Sequence, residues 1–146
     1  MKEKSYTRYI WIFLVVMGLL ELQFGLSLAL RGPAAVDNSN VEIQGATWEQ
    51  IAARSSEAGL IDYLAKSWGA AEVFVAITMI AIAAIPFRKR ERWSWYFLWL
   101  FPALAMASVL RNLAVGGISV VLIDSFGGII FAIALLLPYR KFFPKV

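Results

Sequence analysis

Four apolar stretches, each long enough to cross a bilayer and each carrying at least one charged residue, constrain this chain more than any motif it contains. They occupy residues 9–30, about 61–87, 93–113 and 116–137. A hydrocarbon core of about 30 Å needs about 20 helical residues. Within it only a helix satisfies the backbone of a segment crossing alone. The expected fold is all-α: one integral membrane domain over residues 1–146, built as a four-transmembrane-helix bundle. Apolar residues make up 60% of the 146, above the roughly 45–50% of soluble domains, and the excess lies in these runs. Pro86 and Pro138 close the second and fourth, and Pro102 is expected to kink the third.

Basic residues set the expected orientation. Lys2, Lys4 and Arg8 precede the first run, Arg88, Lys89, Arg90 and Arg92 join the second to the third, and Arg140, Lys141 and Lys145 follow the fourth. Ten of the 14 lysines and arginines thus fall on one side, which the positive-inside rule makes cytoplasmic. The expectation is a multi-pass protein of the cell (inner) membrane, with both termini in the cytoplasm. Tyr9, Trp11, Trp93, Trp95, Tyr96, Trp99 and Tyr139 fall at the same level, where aromatic belts sit. A net charge of +4 placed this way reflects topology, so no nucleic-acid partner is expected. A cleaved signal peptide would also begin with an apolar run, but this one is long and contains Glu21, so a retained helix is expected.

The outer loop, residues 31–60, has one readable element. Thr47-Trp48-Glu49-Gln50 matches a capping box, which predicts a short amphipathic helix ended by Gly59. Residues 31–44 read as loop.

With no cysteine and no histidine, disulfides, thiol chemistry, His or Cys metal sites and a Ser–His pair are excluded. No cofactor and no metal are expected, and no catalytic residue is assigned. The candidate site lies in the charges that should be absent from a membrane: Glu21, Glu72, Arg111 and Asp124, one per run. Each costs about 2.5–3.5 kcal/mol at the bilayer centre, so such residues face inward and pair. At 1.5 Å per residue the three acids lie roughly 18–22 Å from the basic boundary, and Arg111 about 27 Å. Small residues three, four or seven positions away share their faces: Gly18 and Gly25 for Glu21, Gly69 and Ala76 for Glu72, Gly117 and Gly128 for Asp124, Ala107 and Ser108 for Arg111. Gln23, Ser108, Asn112 and Ser119 are expected to add hydrogen-bonding groups, and Lys66 to pair with Asp62 at i, i+4.

Two readings of this cluster follow. In one, Arg111 neutralises one or two acids and the set fixes helix register. In the other, three acids exceed one arginine, at least one acid keeps its proton away from water, and the group binds a polar headgroup, a cation or a proton. The glycine pairs Gly116/Gly117 and Gly127/Gly128 suit packing within the chain first, and a homo-oligomer surface second.

Phe87-Arg88-Lys89-Arg90-Glu91-Arg92-Trp93-Ser94-Trp95-Tyr96 resembles a cytoplasmic hairpin of pattern F-R-x-x-E-R-W-x-W-Y. Leu136-Leu137-Pro138-Tyr139-Arg140-Lys141-Phe142-Phe143-Pro144 is similar to the matching C-terminal signature. Together they resemble small prokaryotic four-helix membrane proteins, loosely DoxX-like. That hairpin usually has glycine before the glutamate; here Arg90 takes its place. The resemblance implies four helices, a bacterial-type or archaeal inner membrane, and an accessory role, since relatives include a small subunit of a quinone-linked oxidoreductase. It supplies no catalytic residues. The expected function is therefore a non-catalytic accessory subunit, or a binder of a small polar or amphiphilic ligand, with the bilayer and a possible membrane-protein partner or second copy around it. The alternatives are an ion- or proton-coupled carrier acting as an oligomer, and a lipid- or quinone-acting membrane enzyme subunit.

Overall fold

Each apolar run satisfies its own backbone by coiling into a helix, and the computed structural model, which describes residues 6–37, 50, 53, 55–115 and 118–144, holds no strand among them. The elements are α1 (Tyr6–Arg31), α2 (Ala34–Asp37), α3 (Ser55–Ile82) continued by a π-helical stretch (Ala83–Phe87), α4 (Arg92–Leu98), α5 (Leu100–Val115), α6 (Ile118–Leu136) and α7 (Tyr139–Phe142). Three helical segments, Tyr9–Arg31, Ala58–Phe87 and Arg92–Ala114, are long and apolar enough to cross a membrane. The fourth apolar stretch, Val121–Leu136, is shorter, about 24 Å at 1.5 Å per residue.

Local sequence explains the departures from simple helices. Gly32 ends α1 at φ +59, and its N–H bonds the carbonyl of Leu28 at 2.8 Å, the left-handed cap that glycine adopts without steric cost. The short α2 follows directly, inside the stretch expected to be loop. Pro86 lacks an N–H and its ring crowds the carbonyl four residues back. The helix widens into the π stretch around it and ends at Phe87, where the run was expected to close, and the carbonyl of Pro86 accepts from Glu91 N–H five residues on at 3.0 Å. Pro102 interrupts the third run as expected, and the break between α4 and α5 falls at Trp99, one turn before the ring.

One expectation fails at Gly59. The capping box at 47–50 lies outside the described residues apart from Gln50, but Gly59 does not end a helix: α3 begins at Ser55 and runs straight through it. Nothing packs within 4 Å of the position a Cβ would take there. A lone glycine costs a helix about 1 kcal/mol, which the apolar helix beyond it easily outweighs.

The helices form two hairpins. Antiparallel α1 and α3 pack along their length, and α5 packs on α6, with α1 touching α6. The first hairpin is close because glycine permits it. A Cβ built at Gly25 would lie 2.9 Å from the backbone nitrogen of Val73, and one at Gly69 would collide with the backbone of Leu28 and Ala29. Small residues give membrane helices their contact through such approach. In the second hairpin Gly128 does the same against Ala105, whereas nothing lies within 4 Å of a Cβ at Gly127.

Buried apolar side chains gather at the end where the basic residues lie: Ile10 and Leu14 from α1, Met79, Ile82, Ala83 and Phe87, Leu98, and Phe131, Ala134, Leu135 and Phe142. Aromatic rings lock this end. Trp95 packs on Tyr96, Trp99, Tyr139 and Phe143 at centroid distances of 5.2–5.6 Å, and its Nε1 donates to the carbonyl of Leu135 at 2.9 Å. The indole N–H of Trp99 is buried without an acceptor among the described residues. Arg92 Nε donates to the carbonyl of Phe142 at 3.2 Å, and the Arg88 guanidinium lies 4.7 Å above the Trp11 ring.

Arg90 occupies the left-handed region at φ 64, at the hairpin position where the resemblance expects glycine. That conformation costs a residue with a Cβ about 1–2 kcal/mol. Arg90→Gly is accordingly expected to be about 1 kcal/mol more stable than Arg90→Ala. Both variants lack the side chain, so thermal unfolding in one detergent isolates the backbone effect. Equal stabilities would show that no strain resides there.

Candidate functional site

The close α1–α3 contact determines what Glu21 and Glu72 meet. Glu21 lies one turn from both Gly18 and Gly25, and Glu72 one turn from Gly69 and from fully buried Ala76. Both carboxyls are carried into the seam between the helices, close enough to act on one another electrostatically. Asp124 on α6 is close enough to act on Glu21 electrostatically. All three acids are half-buried.

The other hairpin completes the arrangement. Ser108 Oγ on α5 donates to Asp124 Oδ2 at 2.5 Å. Asn112, one turn further, donates from Nδ2 to the Ser108 carbonyl at 2.9 Å and to its Oγ at 3.2 Å. Trp68 on α3 donates from Nε1 to Glu72 Oε1 at 2.6 Å, and the Arg111 guanidinium lies 5.1 Å from the centre of the Trp68 ring. Two chains of contacts result, Arg111 to Trp68 to Glu72 and Asn112 to Ser108 to Asp124, and Glu21 on α1 lies within electrostatic reach of the acid in each.

This differs from the sequence reading in three respects. Arg111 neutralises no acid, because among the described residues the ion pair present is Lys66 with Asp62 at 2.7 Å. Arg111 is exposed and lies on the indole face, a cation–π contact that replaces the expected pairing. Gln23 does not join the group: two residues from Glu21 is about 200° around a helix, and its side chain is exposed on the other face of α1. Trp68 was missed. The available signals were its position four residues before Glu72 and its place in a run away from the aromatic-rich basic end. Ser119 lies outside the residues whose side chains are described, as do Gly116 and Gly117.

Chemically, the group offers acceptor oxygens on three flexible side chains and an aromatic face already covered by a cation. Among the described residues no cluster of three or more His, Cys, Asp or Glu side chains is arranged to hold a metal ion. Comparison with protein-family profiles, with curated proteins and with solved structures finds no match for this chain.

Proposed function

We propose that this chain is a small integral membrane protein with four spans and cytoplasmic termini, which binds a small polar or amphiphilic molecule at the Glu21–Glu72–Asp124 cluster and does not itself catalyse. Supporting the topology are the four apolar runs and the one-sided placement of ten of 14 basic residues. The prokaryotic inner membrane and an accessory role rest on the resemblance of the hairpin and C-terminal signatures to DoxX-like proteins.

The observation that carries the binding reading is the diversion of Arg111. Carboxyl groups from three helices lie within electrostatic reach of one another, while the arginine expected to neutralise them stacks on Trp68. A cluster left negative in a low-dielectric setting attracts a cation strongly. A protonated amine on a hydrocarbon tail matches it best: the ammonium donates to the carboxyls and the tail lies among apolar helices.

Octylammonium and octanol test this on the detergent-purified chain. Near 100 times its dissociation constant, a ligand stabilises by about 2.7 kcal/mol, on the order of 9 °C for a chain of this size. Octylammonium is expected to give such a shift and octanol none, with Glu21→Gln and Glu72→Gln removing it. A shift equal for both compounds, or one that survives both substitutions, would end the proposal.

A second reading, a proton-coupled carrier working as an oligomer, is supported by the placement of Glu21, Glu72 and Asp124 within electrostatic reach on three helices. It expects cation-driven proton flux in proteoliposomes that disappears with Glu72→Gln.

A further inference from the structure

The polar groups beside the three acids have already committed their donors. Trp68 Nε1 donates to Glu72 Oε1 at 2.6 Å, Ser108 Oγ to Asp124 Oδ2 at 2.5 Å, and Asn112 Nδ2 to Ser108. What the group has left is acceptor capacity. An ionised carboxylate offers about four lone-pair positions, and Glu21, Glu72 and Asp124 bring carboxyls from three helices within electrostatic reach. The aromatic surface next to them is committed as well. The Trp68 side chain is exposed, yet the Arg111 guanidinium stands over its ring, 5.1 Å from the centre. This indole takes a cation on its face, and the chain supplies that cation itself.

We infer that Arg111 makes this site selective for primary over quaternary ammonium ions. A primary ammonium carries three N–H donors, which carboxylate oxygens accept in charge-assisted hydrogen bonds. A quaternary ammonium carries none, and proteins recognise it through aromatic faces. Here the Trp68 face that meets α5 holds a guanidinium, which occupies the ring and repels a second cation there. Trp68 thus has two parts to play: its edge fixes Glu72, and its face seats the arginine. Removing the guanidinium frees that face and leaves all three acids in place. The inference rests on the proposed binding of an amphiphilic amine at this cluster and adds which class of amine the cluster accepts.

Calorimetric titration of the detergent-purified full chain with octylammonium and with octyltrimethylammonium, each corrected for protein-free micelles, tests it. The wild-type chain is expected to bind octylammonium at least ~10-fold more tightly, the scale of one charged hydrogen bond lost. In Arg111→Gln the trimethyl compound is expected to gain at least ~3-fold from the freed indole, while octylammonium binds no more weakly, which also reports that the variant is folded. Adding Trp68→Leu to Arg111→Gln is expected to cancel that gain. Arg111→Lys keeps a cation on the ring and should keep the preference, and the wild-type comparison of the two ions needs no variant. Equal wild-type affinities for the two ions overturn the inference and leave the amine site standing, as does unchanged discrimination in an Arg111→Gln chain that still binds octylammonium. Failure of the wild-type chain to bind octylammonium overturns both.

Discussion

Gly69→Ala is expected to destabilise the chain by about 2–3 kcal/mol, as overpacking of a tight contact does. The added methyl would collide with the backbone of Leu28 and Ala29, and backbone cannot rotate out of the way as a side-chain tip can. The same change at Gly59 and Gly127, where nothing lies within 4 Å of the new atom, is expected to be neutral or to stabilise by up to about 1 kcal/mol, alanine being the better helix former. Thermal unfolding of the three variants in one detergent makes the comparison internal. A Gly69→Ala protein that melts no lower than Gly59→Ala would show that α1 and α3 are not held backbone to backbone.

The second large effect is expected at Trp95. Trp95→Ala removes the ring on which Tyr96, Trp99, Tyr139 and Phe143 pack and should cost about 3–5 kcal/mol. Trp95→Phe keeps much of the packing and loses the bond to the Leu135 carbonyl, for about 1 kcal/mol. Trp99→Phe removes an N–H that has no acceptor among the described residues and is expected to change little. If the two phenylalanine variants melt together, the indole bond contributes nothing and the lock is packing alone.

Much of this arrangement was legible because a bilayer leaves few options. A run of some 20 apolar residues has one way to satisfy its backbone, so the helices could be placed from Tyr9, Pro86, Trp93 and Pro138. The faces of Glu21 and Glu72 were legible for a related reason: glycine and alanine one turn away mark the side where another backbone approaches. Periodicity stops there. It assigns Arg111 a face but not a partner, and an indole competes with a carboxylate for a guanidinium at similar reach. Gln23 was grouped with Glu21 by nearness in sequence, which on a helix places it on the far side. Gly59 was read as a stop by a local rule and lost to a long apolar helix whose continuation outweighed a small local cost, whereas the helix does end at Phe87, one residue past Pro86. Trp68 carries a hydrogen bond and a cation together, a pairing visible only once two helices lie side by side.

Two of the basic residues proposed to bias insertion are also fasteners. Arg88 covers Trp11 and Arg92 holds the Phe142 carbonyl, so a substitution that alters the proposed sidedness signal also loosens a contact within one hairpin or the other. Selection on how this chain enters a bilayer and selection on how well it holds together therefore act on the same few side chains. Neither property can drift without pulling on the other.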